Sequence, residues 1–177
     1  SQLNLDVLVN TVGDRLLETF SANSAYIALV EEKTGVINFP YFKHRTDGNI
    51  VINPRTLDQG GGFTGKIYRT RQPIIHNQSS ASTVAHEGEK IGSDDSDSYI
   101  GVPMIVGDKV IGVIGLNSLQ EMRIYEESDI PLLSTLARTI GVALQNVLQF
   151  EDTQRRANRE ALVNEISQKI QNATSIE

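Results

Sequence analysis

The sequence predicts an α+β domain built on an antiparallel sheet with cover on both faces, and three observations predict it. Two apolar runs rich in β-branched residues, Ile100 to Val106 and Lys109 to Leu116, flank Gly107-Asp108, a pair suited to a two-residue hairpin turn. Both runs are apolar at nearly every position instead of alternating with polar residues, so neither face of this central hairpin is left to water. Amphipathic helical patterns stand at both ends of the chain and can supply one of the covers.

Taken in order, residues 3 to 20 place Leu5, Leu8, Val12, Leu16 and Phe20 three to four apart with polar residues between them, which is one helix with one apolar face. Ala25 to Val30 reads as a buried strand, Glu31 to Gly35 as a turn, and Val36 to Phe42 as its antiparallel partner. A short edge strand is expected at Ile50 to Ile52, ended by Pro54. Gly60-Gly61-Gly62 leads into a short helix beginning near Phe63, and Pro73 to His76 returns as a strand. The Ser- and Asp-rich stretch from 77 to 98 is expected to be a long loop, either a functional lid or disordered. From Ser128 a single helix carries Leu133, Leu136, Ile140, Leu144, Val147 and Phe150 on one stripe, with Pro131 harmless in its first turn.

No Gly or Pro follows Gly141, so this helix is expected to run to about Asn172 and to extend roughly 65 Å, more than the domain needs. Its second half then projects, with Ala157, Ala161, Leu162, Ile166, Ile170 and Ala173 keeping an apolar stripe. A partner helix is expected there, and the same helix of a second subunit is the simplest one. Leu162 to Ile176 also shares the amphipathic, Asn- and Gln-containing character of the first helix. That likeness suggests that a similar domain follows.

The chain of 177 residues with 39% hydrophobic content can bury one sizeable core. It contains no cysteine, which excludes disulfides, thiolate metal sites and thiol nucleophiles within it. A net charge of -6 repels phosphate backbones and anionic lipid, so neither a nucleic acid nor a membrane surface is an expected partner. No apolar run approaches the roughly 18 to 20 residues of a membrane span and no signal peptide is visible, so a cytoplasmic location is expected.

Four segments together resemble the GAF domain: Gly62-Phe63-Thr64-Gly65-Lys66-Ile67 before Gln72-Pro73-Ile74-Ile75, then Tyr99-Ile100-Gly101-Val102-Pro103, then Lys109 to Leu116, then Leu132-Leu133-Ser134-Thr135-Leu136-Ala137. Their order and spacing match over roughly residues 4 to 150. The resemblance implies a three-layer architecture: a six-stranded antiparallel sheet, terminal helices on one face, and short helices and loops over a small-molecule pocket on the other. On this reading residues 1–150 are the GAF domain and 151–177 a projecting, coiled-coil-like signalling helix leading to a following domain. Members of the family commonly serve as sensory modules in histidine kinases, nucleotide cyclases, phosphodiesterases and transcriptional regulators, and tend to dimerise through their terminal helices. The resemblance therefore implies a non-catalytic sensor binding a small effector; a ligand-free dimerisation module is the alternative.

For the ligand, the resemblance excludes more than it selects. Bilin-carrying relatives attach the chromophore through cysteine, and the methionine-sulfoxide reductases of this fold use thiols; this chain has neither. Cyclic-nucleotide-binding relatives carry Asn-Lys, then Phe, then Asp-Glu, where this chain has Asn117-Ser118, Tyr125 and Asp129-Ile130. The Lys that braces their pocket is missing. Haem could be ligated by His76 or His86, although a lone His is more often an ordinary polar residue. Asp94, Asp95 and Asp97 lack the Gly turn and distal Glu of a calcium loop. No His and acid stand together as a nucleophile and base, so no catalytic residue is expected.

Strand alternation divides Tyr99, Gly101, Pro103 and Ile105 from Ile100, Val102, Met104 and Val106. The small set is expected to line the pocket, because it leaves room, while the large aliphatic set packs on the helices. On the next strand the choice is Val113, Gly115 and Asn117, which requires a one-residue bulge near the turn. Close backbone approach is the other account of Gly101 and Gly115. Phe63, Thr64 and Tyr68 lie on the short helix that covers the pocket in the family, with Thr64 either a ligand donor or a helix cap. His76, at a strand end beside the long loop, completes the candidate set.

Overall fold

A computed structural model of the chain describes residues 2–59, 61–77, 98–119 and 121–174. The expected loop from 77 to 98, with His86 and the Asp94, Asp95, Asp97 group, lies almost wholly outside the described residues. The elements are α1 (Gln2–Thr19), β1 (Ser24–Glu31), β2 (Val36–His44), β3 (Gly48–Asn49), β4 (Arg55–Thr56), α2 (Gly62–Thr70), β5 (Ile74–Asn77), β6 (Ser98–Val106), β7 (Lys109–Ser118) and α3 (Ile130–Thr174). The antiparallel sheet runs β3-β2-β1-β7-β6-β5, with β4 also pairing with β2.

The sheet has seven strands where six were expected, because the edge segment does not form one strand at Ile50 to Ile52. Two-residue pieces pair with opposite ends of β2, Gly48–Asn49 with His44 and Lys43 and Arg55–Thr56 with Ile37 and Val36. Between them Ile50 and Ile52 turn inward and pack against the cluster under α2, so hydrophobic burial outweighs continuing the ladder. The Ile50 amide still donates to the Phe42 carbonyl at 2.9 Å.

The helical layer is set by sequence period and close approach. Leu5, Val9, Leu16, Leu17 and Phe20 of α1 are buried against the sheet, while Leu8 and Val12 sit half-buried at the rim. A side chain at Gly13 would overlap the Tyr41 ring, so glycine there sets how near α1 approaches β2. Asp14 Oδ1 then accepts from Tyr41 Oη and Lys43 Nζ, each at 2.9 Å. Arg45 donates from Nε and Nη2 to the carbonyls of Ala22 and Leu17 at 3.0 and 3.1 Å, satisfying the end of α1.

The Lys43 hydrogen bond holds the Asp14 carboxyl below its ordinary range; partial desolvation opposes it, and the Tyr41 hydrogen bond adds to it. A carboxylate lowered on folding contributes stability above its unfolded value of about 3.9 that is lost as pH falls through its folded value. Asp14→Asn is therefore expected to flatten the decline of melting temperature below about pH 4. An unchanged decline in melts from pH 7 to pH 2 would refute the assignment. The effect is small, because the Asp14 side chain is 47% exposed.

Helix α3 starts from a reciprocal cap in which the Glu126 amide donates to Asp129 Oδ2 at 2.9 Å. It runs unbroken for 45 residues. Leu133, Ala137, Ile140, Gly141 and Leu144 bury its first half on β6 and β7. At Gly141 an added Cβ would come 3.1 Å from Val106 Cγ2, so the small residue allows α3 to lie close on the hairpin. Beyond Glu151 every described side chain is exposed. Among the described residues no helix is long and apolar enough to cross a membrane.

Candidate functional site

The face opposite α1 and α3 is covered by α2, and its floor is laid out by the cross-strand register. His76, Tyr99, Asn117 and Ser24 form one row of direct partners; Ile74, Gly101, Gly115 and Tyr26 form the next. Pro103, Val113 and Ala28 form a third. These rows need the hairpin register to shift by one residue. It does so: Ile105 pairs with Val110 but Met104 pairs with Gly112, leaving Ile111 as the extra residue. Ile100, Val102 and Met104 consequently point to the helical layer, and the small set points to α2.

Helix α2 is preceded by the cap residue Gly61, whose φ of 55° is left-handed and available to glycine without strain. It ends at Arg71, which is itself left-handed, with its amide bonded to the Ile67 carbonyl at 2.8 Å. One side of the helix lowers Thr64 and Ile67 into the sheet, with Phe63 and Tyr68 packed alongside. The structure thus gathers on one side of the sheet the ten residues singled out from sequence.

What fills that side differs from expectation. A side chain at Gly115 would overlap the Tyr26 ring, and one at Gly101 would overlap the Tyr99 hydroxyl. The space these glycines were expected to leave for a ligand is occupied by two tyrosines of the chain itself. Their hydroxyls meet: Tyr26 Oη lies 2.8 Å from Tyr99 Oη and 2.8 Å from Thr64 Oγ1, all three buried. Burial pushes both phenols upward, Tyr26 against the opposing influence of its two hydroxyl partners and Tyr99 with Tyr26 adding to the rise, so both stay protonated and neutral at physiological pH.

Thr64 therefore neither caps α2 nor stands free toward a ligand. The cap position is Gly61, without a side-chain bond, and the threonine hydroxyl completes the tyrosine chain. Aromatic rings extend the cluster in both directions. Tyr26 stacks on Phe42 at 6.1 Å and meets Phe39 edge-on at 5.8 Å; Phe63 stacks on Tyr99 at 4.9 Å and lies 5.3 Å from the His76 ring. Asn117 Nδ2 donates to Ser24 Oγ at 3.1 Å at the end of the first row.

Sequence reasoning missed Tyr26, Phe39 and Phe42. The signal was an arrangement, since a glycine in a buried strand invites an aromatic ring from the neighbouring strand to cover it. Of the positions that match the cyclic-nucleotide pattern, Asn117 lies on this face but Tyr125 and Asp129 do not. Tyr125 is buried in the helical layer, and Asp129 pairs with the Arg123 guanidinium, which lies over the Phe20 and Tyr125 rings at 5.9 and 5.7 Å. Arg123 thus pairs with the acid of the cap that precedes α3.

The formate hydrogenlyase transcriptional activator FhlA of Escherichia coli strain K12 is 22% identical over 164 residues, which cover 90% of this chain and 23% of that protein. The chain therefore spans about a quarter of that relative's length. Residues 122 to 287 of a methyl-accepting chemotaxis protein superpose with a TM-score of 0.65 at 18% identity, covering 82% of this chain and 92% of that one. The free methionine-R-sulfoxide reductase of Neisseria meningitidis, in complex with its substrate, gives 0.61 at 20% identity, covering 82% and 80%. At these identities the two structures establish the shared fold. A family model described as GAF domain matches residues 2–145, and this chain belongs to the GAF family.

Proposed function

We propose that the chain is the input module of a signalling protein. A small effector acts at the α2 face, and the resulting state passes along α3, which associates with α3 of a second copy. The observation that carries this reading is α3 itself, packed on the sheet by its first half and continuing without a break into a fully exposed second half. Leu132 and Phe150, 54% and 57% exposed, lie about five turns apart and so share one side of the helix. Coupling requires the effector to bind two arrangements of these helices with different affinity.

Melting the chain with cyclic nucleotides, haem and fractionated metabolite extract tests the effector. A ligand at 100 times its dissociation constant adds about 2.7 kcal/mol. The filling of the glycine rows by Tyr26 and Tyr99 favours a second reading, a ligand-free dimerisation module, and no shift with any fraction would select it. Sedimentation tests the dimer. The full chain is expected to associate and a chain ending at Gln149 to remain monomeric; equal association of both would move the interface off the second half of α3.

A further inference from the structure

Thr64, Tyr26 and Tyr99 form a chain of three buried hydroxyls with Tyr26 in the middle. Each hydroxyl carries one proton and can accept at two lone pairs. The two contacts between them use two of the three protons, whichever way each bond points. Among the described residues no further hydrogen bond from these hydroxyls takes up the third. A buried donor without an acceptor is costly, so the chain is one acceptor short.

The surroundings restrict what that acceptor can be. Tyr26 packs on the Phe39 and Phe42 rings, Tyr99 stacks on Phe63, and Ile67 lies against Gly101; none of these neighbours carries a charge. Burial holds both phenols above their ordinary value, so an anionic oxygen brought here meets the same penalty. Approach is open at one end only. Thr64 is buried beneath α2, whereas Phe63 and His76, whose rings lie 5.3 Å apart beside Tyr99, are half-buried. Flat rings at the open end favour a flat ring as the guest.

We infer that the effector of the α2 face is a small uncharged aromatic compound bearing a hydrogen-bond acceptor, as in an aryl ketone. Its ring joins the Phe63 and Tyr99 stack, and its acceptor takes the proton of the Tyr99 hydroxyl. Thr64 then donates to Tyr26, Tyr26 to Tyr99 and Tyr99 to the ligand, so every proton of the chain is used. Phe63 belongs to α2, and a ring added to its stack therefore shifts that helix against the sheet. The inference rests on the effector reading above and gives that effector a chemical class.

Acetophenone, ethylbenzene and benzoate share a ring and differ in what it carries: a neutral acceptor, none, and an anionic one. Titrated into the 177-residue chain and followed by amide chemical shifts, acetophenone is expected to bind on the order of 10-fold more tightly than either of the others. The amides of Thr64, Gly65 and Gly101 are expected to move. Tyr99→Phe keeps the ring and removes the hydroxyl, so acetophenone should fall to within about twofold of ethylbenzene, whose own affinity is unchanged. Equal binding of ethylbenzene, tighter binding of benzoate, shifts confined to amides off this face, or a preference that survives Tyr99→Phe would overturn the inference and leave room for an effector of another class. So would failure of all three probes where a fraction of metabolite extract raises the melting temperature. No response to probes or extract defeats the effector reading together with it.

Discussion

Tyr26→Ala is expected to cost about 3 to 5 kcal/mol of stability and to regain part of it when phenol is added. The ring is 7% exposed and lies directly on Gly115, so nothing on its own sheet row can collapse into the space it leaves. Its loss removes the packing on Phe39 and Phe42 and takes a hydroxyl partner from both Thr64 and Tyr99. Each buried hydroxyl left without its bond accounts for about 1 to 3 kcal/mol, which places the total at the upper end of the expected range. Phenol carries the same ring and hydroxyl, so it is expected to raise the melting temperature of the variant and not of the parent chain. Tyr26→Phe, which keeps the ring, should lose only the hydroxyl contribution. A variant within about 1 kcal/mol of the parent, or phenol acting equally on both, would show that this tyrosine does not fill the space over Gly115. The result also bears on function: a rescued cavity marks the α2 face as ligand-sized ground held by the chain's own side chains.

The facing of β6 and β7 was legible because small and large residues alternate on them, and the bulge at Ile111 follows from wanting Gly115 and Gly101 on one side. The occupant of that side was not legible, since Tyr26 reaches Gly115 only after β1 pairs with β7, a contact between segments distant in the chain. Local pattern cannot specify such a register. Thr64 as a helix cap was misread for the same reason, because its partner sits on β1. The buried face of α1 was read correctly in kind and displaced in detail: Val9 and Leu17 are inside while Leu8 and Val12 form the rim. At Ile50 and Ile52 side-chain burial overrode strand propensity. The length of α3 was readable from its lack of breakers.

Tyr125→Ala is expected to cost a comparable 3 to 5 kcal/mol, roughly, and in addition to loosen the start of α3. Tyr125 is fully buried, and three segments converge on it. Its amide donates to Ser98 Oγ at 2.8 Å, its carbonyl accepts from Asn77 Nδ2 at 3.1 Å, and its hydroxyl donates to the Phe20 carbonyl at 3.3 Å. Ser98 in turn donates to Asn77 Oδ1 at 2.5 Å, closing the circuit between the ends of β5 and β6. Ser98→Ala breaks this circuit without creating a large cavity and should cost about 1 to 3 kcal/mol, the range for leaving a buried N–H unpaired. Tyr125→Ala keeps the backbone groups that Ser98 and Asn77 bind but removes the ring that holds them in place. The two sites are therefore coupled, and the double variant should fall short of the sum by about 0.5 to 3 kcal/mol in urea unfolding. Hydrogen exchange supplies the second readout. Either substitution should speed exchange in the first turns of α3, since Tyr125 leads directly into the Glu126 and Asp129 cap. Additive losses with unchanged exchange after Ile130 would make Tyr125 a core residue and nothing more. Accelerated exchange would join the α2 face to the helix by a short route, because His76 and Tyr99 on that face are the chain neighbours of Asn77 and Ser98 on the other. A displacement of the β5–β6 edge would then reach α3 through two adjacent residues and the backbone of Tyr125.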